Sequence, residues 1–314
     1  MKNIMRKFLK IVRNIFLVLL SCIILFMSGV FIYHRIMLKQ EDKYWENTPG
    51  QMVEVDGHKM HIYSAGSGDH TIVLLSAWGD SSPYANFLPI AKELSKDARV
   101  VILERFGYGF SDTVEGERTF DKILEEDREG LEKAGIEGPF IFVPHSISGV
   151  EVALWAQKYP SEVEGIVGLD IAVPSMREVY LTEGLADMSQ IPMVRFMRDS
   201  GLLRLFYRNP ENELEKIKYI IGYRNEANKN KTSESDHLVE ALDEIVSKPL
   251  PTVPTVQVIS KDTSDGYPDW EPGHQAFVDA SERGKLIKLN CGHYVYLEDQ
   301  EEVVEIIREF LNSL

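Results

Sequence analysis

Apolar residues fall into three patterns along the chain. Residues 14–33 form one unbroken apolar stretch without a charged side chain. Beyond residue 50 the runs are short and regular. Residues 51–55 and 59–63 alternate apolar and polar about Asp56-Gly57, which predicts a β-hairpin closed by a tight turn. Continuous apolar runs follow at 71–76, 100–104, 140–144, 165–170, 253–260 and 285–289. Strands of that kind are buried on both faces, as in a parallel sheet. Between them, 85–95, 120–134, 150–159 and 301–312 place apolar residues at helical spacing. A hairpin followed by alternating strands and helices predicts an α/β fold with a mostly parallel, doubly wound sheet. Residues 174–250 break the alternation: they are rich in Met, Arg, Leu and Tyr and carry no strand pattern. That stretch is too long for a plain loop, and it is expected to form a helical cap over the carboxyl ends of the strands. No repeat of 20–50 residues is visible, which argues against a solenoid or propeller.

The uncharged stretch changes the picture of where the body works. Twenty residues at 1.5 Å each cover a hydrocarbon core of about 30 Å. Five basic residues (Lys2, Arg6, Lys7, Lys10 and Arg13) precede it. By the positive-inside rule, residues 1–13 stay in the cytoplasm, 14–33 cross the cell membrane once, and the body lies on the far side. Residues 34–50, with Pro49-Gly50, read as a polar linker, and 51–314 as the folded domain. A cleaved signal would have a shorter apolar core and a small-x-small site, and neither is present. Leu19-Leu20-Ser21-Cys22 faintly resembles a lipoprotein box, but the apolar run continues past it.

Of 314 residues, 44% are hydrophobic and 26% charged, the balance of a globular protein. The net charge of −15 is uneven. Residues 1–43 hold eight basic and two acidic side chains, so the rest of the chain carries −21. A body so acidic repels nucleic acid. Cys22 and Cys291 are the only cysteines, and no disulfide between them is expected.

Candidate chemistry concentrates in PFIFVPHSISGVEVALWAQKYP, where a strand runs through Pro144-His145-Ser146-Ile147-Ser148-Gly149 into a helix. A serine hydroxyl is a poor nucleophile that needs exposure and a base. A sharp strand-to-helix turn exposes it and aims the first helical amides at a developing oxyanion. By itself the pattern also fits an ordinary helix N-cap serine. Three further segments matter: SAWGDSSPYANFLPIAKEL at 76–94, VVILERFGYGFSD at 100–112, and LIKLNCGHYVYLEDQEEVVEIIREFL at 286–311. Together with the serine turn they resemble the α/β-hydrolase superfamily over residues 50–314. They correspond to its oxyanion loop, its D-x-x-G-x-G-x-S turn and its catalytic-histidine loop. The departures are Ser76-Ala77 for the usual His-Gly, and Pro144 and Ser148 for the glycines flanking the nucleophile.

The resemblance implies an α/β-hydrolase fold with Ser146 as nucleophile, His293 as base, and the amides of Trp78 and Ile147 as the oxyanion hole. It leaves the acid open. The family's usual position after the seventh strand points to Asp262 first, with Asp265 and Asp269 further along. Some relatives use an acid after the sixth strand, which is Asp170 here. The expected activity is cleavage of a small or medium acyl ester through an acyl-enzyme, without metal or organic cofactor. The expected partners are that small substrate and the membrane. The alternatives are an aminopeptidase or amidase of the proline-iminopeptidase-like type, or a non-catalytic ligand-binding protein of the same fold. Other candidates fail on pattern. His58 and His61, three apart on a strand, point to opposite faces, and His70 and His274 lack neighbours at ligand spacing. Cys291 reads as a packed thiol. The Met, Phe, Arg and Leu run at 188–207 reads as cap core or pocket wall, with a membrane-facing helix as the other reading.

Overall fold

The computed structural model describes residues 2–185, 188–207 and 209–314. Helix α1 (Lys2–Glu41) leads into the short α2 (Lys43–Glu46), and the hairpin β1 (Gln51–Val55) and β2 (His58–Ala65) follows. Then come β3 (Thr71–Leu75), α3 (Pro83–Leu94), β4 (Arg99–Glu104), α4 (Phe120–Lys133), β5 (Phe140–Pro144), α5 (Ser148–Lys158) and β6 (Val163–Leu169). The insertion contains α6 (Arg177–Glu183), α7 (Ile191–Ser200), α8 (Leu203–Phe206), α9 (Glu213–Asn225), α10 (Lys229–Asp236) and α11 (Leu238–Val246). The chain closes with β7 (Thr255–Ser260), α12 (Lys261–Gly266), α13 (Trp270–Ala280), β8 (Gly284–Leu289), α14 (Val295–Glu298) and α15 (Gln300–Ser313).

The eight strands form one sheet in the order β1-β2-β4-β3-β5-β6-β7-β8. β2 pairs antiparallel with β1 and β4, and every other pair is parallel. Chain order reverses between β3 and β5, which are direct neighbours at the sheet's centre. A ligand crevice forms at such a switch point, outside the carboxyl ends of the strands. The period of two along each strand divides the core. Val73, Leu75, Phe140 and Phe142 face α4 and α5, whereas Ile72, Leu74, Ile141 and Val143 face α3 and α15. The continuous runs of the sequence are these doubly buried strands.

α1 is long and apolar enough to cross a bilayer, and no residue of its apolar window is fully buried by the rest of the chain. The reading of residues 34–50 as a linker needs correction. The helix continues through Glu41 because the cap covers one of its faces: His34 and Glu41 are buried, and Arg204 of α8 forks onto both Glu41 oxygens at 2.7 Å. Polar residues that look like linker in sequence are the docking face of a helix.

Candidate active site

The turn after β5 occupies the centre of the sheet's carboxyl edge. Pro144 ends the strand, and the next amide, that of His145, donates to Leu75 O on β3 at 2.9 Å. Ser146 then adopts φ +56°, a left-handed conformation that costs a non-glycine residue roughly 1–3 kcal/mol. Neighbouring strands hold it there. Its amide donates to Leu169 O at 3.2 Å, and its carbonyl accepts from Ala172 N at 2.9 Å and Gly149 N at 3.0 Å. Ser148, standing where a glycine was expected, staples the bend: its hydroxyl lies 2.9 Å from Leu75 O, His145 O and His145 N. Gly149 is required by packing, since a Cβ there would collide with the side chain of Ile171.

The carboxylate that meets His293 comes from the chain leaving β6. Asp170 is fully buried, and its Oδ1 accepts from Ser260 N and Trp270 Nε1, each at 2.8 Å. Its Oδ2 accepts from Ser260 Oγ, Thr263 Oγ1 and His293 Nδ1, again at 2.8 Å. Burial alone would raise its pKa. The hydrogen bond and charge of His293, with the donors of Ser260 and Thr263, outweigh that and hold the carboxyl below its ordinary value. Asp262, the first choice from sequence, is exposed on α12 and makes no side-chain bond among the described residues. Asp265 pairs with Lys261 on the surface. The Asp269 carbonyl accepts from Ser175 Oγ at 2.7 Å and from Gly273 N at 3.1 Å, and among the described residues its carboxylate makes no hydrogen bond. The physical reason is that β7 turns at once into α12, carrying Asp262 outward, while Asp170 is left beneath the His293 loop.

His293 Nδ1 therefore carries the proton donated to Asp170, leaving Nε2 as the free lone pair. The loop that carries it is braced twice. Gly292 N donates to Glu298 Oε2 at 2.8 Å, and His145 Nε2 lies 2.9 Å from His293 O. Burial, then the neighbouring His293, pushes the His145 pKa down to about 3, so His145 is neutral and its Nε2–H donates to that carbonyl. The two imidazoles lie 4.8 Å apart between centroids. Ser146 Oγ and His293 Nε2 make no hydrogen bond with each other in this arrangement.

The loop after β3 supplies the other wall. Among the described residues, neither the Trp78 amide nor the Ile147 amide donates to a protein acceptor. Residues of β4's exit and the cap hold this loop. Arg105 Nη1 donates to Ser76 O at 3.1 Å, Trp78 Nε1 to Lys231 O at 2.6 Å, and Lys231 Nζ to Gly79 O at 3.4 Å. Arg105 in turn pairs with Glu234 at 2.7 Å, both side chains 3% exposed, and Tyr108 Oη donates to the same carboxylate at 2.7 Å. Sequence reasoning misses His145, Arg105, Lys231 and Glu234. Their signal is faint: charged residues in NEANKNKTSESD reveal no buried face, because α10 has too few apolar positions to show one.

Two cavities open beside the loop, one of about 340 Å³ lined by Gly79, Asp80, Tyr294 and Glu226, and one of about 300 Å³ lined by Trp78, Ile191, Val194 and Lys231. Larger concavities of about 650 and 590 Å³ include no residue of the serine turn or the His293 loop. Among the described residues no cluster of His, Cys, Asp or Glu could hold a metal. His61 instead packs on Glu104, Nδ1 to Oε2 at 2.8 Å.

Residues 70–212 match the family model of the alpha/beta hydrolase fold. A Bacillus subtilis (strain 168) protein, YbdG, is 28% identical over 330 residues, covering 99% of this chain and 100% of that protein. Among solved structures, Cfl2 from Burkholderia cenocepacia is 20% identical with a TM-score of 0.63, covering 83% of this chain and 94% of its own. The enol-lactonase from Burkholderia xenovorans LB400 is 17% identical with a TM-score of 0.62, covering 83% and 100%.

Proposed function

We propose that this chain, which has the fold of the α/β hydrolases, is a membrane-anchored serine hydrolase that cleaves a small or medium acyl ester. Ser146 Oγ attacks the acyl carbonyl while His293 Nε2 takes its proton. Asp170 keeps the remaining proton on Nδ1 and stabilises the imidazolium that forms. The amides of Trp78 and Ile147 receive the negative oxygen of the tetrahedral intermediate. As that intermediate collapses, His293 returns the proton to the leaving alcohol. Water, deprotonated by the same imidazole, then releases the acid and restores the Ser146 hydroxyl.

The observation that carries this reading is the buried Asp170 carboxylate, whose fifth donor is His293 Nδ1. A carboxylate so fully occupied orients the imidazole on a loop bonded to the residue before Ser146. The ester preference draws on the likeness to the enol-lactonase, whose substrate by name is a cyclic ester. The anchored topology, with the body beyond the membrane, rests on α1 and the basic residues before it.

The full chain in detergent micelles should react with one equivalent of a fluorophosphonate at Ser146 and hydrolyse p-nitrophenyl butyrate. Ser146→Ala should lose the labelling and at least about 10³-fold in kcat, since oxyanion donors and binding alone retain only a small residual rate. Unchanged turnover in the variant would remove the mechanism. A folded protein that neither labels nor turns over ester would instead be a ligand-binding member of the fold.

A further inference from the structure

We infer that the outward side of α7 and α8, formed by Met193, Phe196 and Phe206, rests in the outer leaflet of the bilayer that α1 spans, so that the substrate is an acyl ester carried in that leaflet. This rests on the serine-hydrolase reading for its chemistry and on the membrane-spanning reading of α1 for its frame.

The level of the cap relative to the bilayer follows from one close contact. α7 ends at Gly201, with φ +83°, and a Cβ there would collide with the Cβ of His34 and stand 3.3 Å from Val30 O. The end of α7 thus touches α1 at residues 30–34, the last turn of the uncharged stretch. Met27, Val30, Met37 and Leu38 are half-buried on this same stripe, with His34 and Glu41 buried. The attachment is stiff. Arg204 joins both Glu41 oxygens and places Nε 2.9 Å from His34 Nδ1, while Arg224 bonds Leu38 O and Asp42. The cap therefore begins where the hydrocarbon ends.

The two faces of α7 are sharply different. Its arginines turn into the cap: Arg195 Nε donates to Ala227 O at 2.6 Å, and Arg198 Nη1 to Glu226 O at 2.7 Å. The exposed positions then include Met193 and Phe196, three apart and 61% and 54% exposed, with Asp199, paired to Arg198 Nε at 2.8 Å, at the end nearest Gly201, where the headgroups begin. Phe206, five residues past Gly201, is 70% exposed. Phe196 stands five residues before Gly201, about 7.5 Å along the helix axis, so it lies within that distance of the level at which residues 30–34 leave the hydrocarbon. These side chains continue the exposed apolar surface of α1, where Phe31, Ile32 and Ile36 are also uncovered. Large apolar side chains beside a bilayer are the buried face of an interfacial helix. Ile191 and Val194, on the same helix, line the cavity beside Trp78. α7 thus stands between that exposed apolar face and the cavity beside Trp78.

The test uses the full chain in phosphatidylcholine vesicles with acyl chains brominated at the 6,7 positions. Phe196→Trp should add emission that these vesicles quench at least twofold relative to unbrominated ones. Val246→Trp, equally exposed but on α11, which packs on α5, should add emission that is not quenched. Absence of quenching at position 196, with the protein still retained in the membrane after alkaline washing, overturns the inference. So does equal quenching at both positions. Neither result needs catalysis, so failure here is separable from failure of the hydrolase reading. If both hold, Met193→Asp with Phe196→Asp should raise KM about tenfold for a long-chain p-nitrophenyl ester dissolved in the vesicles. The same pair should leave KM and kcat for soluble p-nitrophenyl acetate unchanged. Unchanged KM for the vesicle-borne ester overturns the assignment of substrate class.

Discussion

Replacing Asp170 by asparagine isolates the orienting role from shape. Oδ1 receives two fixed N–H donors, Ser260 N and Trp270 Nε1, neither of which can reverse its role. The amide oxygen of the substituted side chain must therefore stay at that position. Its NH₂ group then falls at the Oδ2 position, facing Ser260 Oγ, Thr263 Oγ1 and His293 Nδ1. The two hydroxyls can rotate to accept. His293 can accept only by shifting its proton from Nδ1 to Nε2, and that blocks the lone pair Ser146 needs. The expected loss in kcat is about 10⁴-fold, roughly 5.4 kcal/mol of transition-state stabilisation. The fold should lose less, about 1–3 kcal/mol, because most donors find new partners. The sign of the pH effect is also set. A carboxyl held below its ordinary pKa contributes stability that is present above the unfolded value and lost as pH falls through the folded one. Asp170→Asn should therefore weaken the acid limb of unfolding. The assay is kcat and KM for p-nitrophenyl butyrate beside a thermal melt, with Asp262→Asn measured in parallel and expected to be neutral. A folded Asp170→Asn within threefold of the wild-type rate, or an Asp262→Asn as impaired, would refute the reasoning.

Two further outcomes follow from the cap and the core. Glu234→Gln leaves the Arg105 guanidinium buried without its counter-ion and should cost about 3–5 kcal/mol in urea unfolding, whereas an exposed pair such as Lys285–Glu309 should cost under about 1 kcal/mol when broken. Burial raises the pKa of both Asp127 and Glu151, whose carboxyls interact and leave oxygens without a donor. Groups raised on folding lend stability that is whole below the unfolded pKa and fades as pH climbs through the folded one. Stability measured from pH 5 to 8 should therefore decline, and Glu151→Gln should flatten that decline.

How much is legible depends on the range of the signal. Ser146 and His293 can be read because each sits beside a local device: a strand-to-helix turn with Ser148-Gly149, and a Gly-His loop after a strand. Which carboxylate meets His293 cannot be read that way. Asp170 and Asp262 both follow apolar strands, and no local pattern distinguishes them. Trp270 and Ser260, 100 and 90 residues along the chain from Asp170, make the difference. His145 shows nothing in sequence beyond standing beside Ser146, although its neutral ring braces the His293 loop. The hairpin and the six later strands are predictable, for the burial that defines them is written as continuous apolar runs. The second helix between β7 and β8, α13, is not, since DWEPGHQAFVDA mixes polar and apolar positions too evenly to show a stripe.

Patterns of period two and 3.6, and one uncharged stretch of bilayer length, therefore determined the sheet, its flanking helices and the presence of an apolar N-terminal helix. These are properties of neighbours in sequence, where hydrophobic burial and backbone geometry act within a few residues. Tertiary structure alone decided which carboxylate meets His293, which cap cation holds the Ser76–Gly79 loop, and that residues 34–41 are a docked helix rather than a tether. Each of those depends on charges brought together from distant segments and desolvated as a group. Such pairing has no period, so the chain assembles it only on folding.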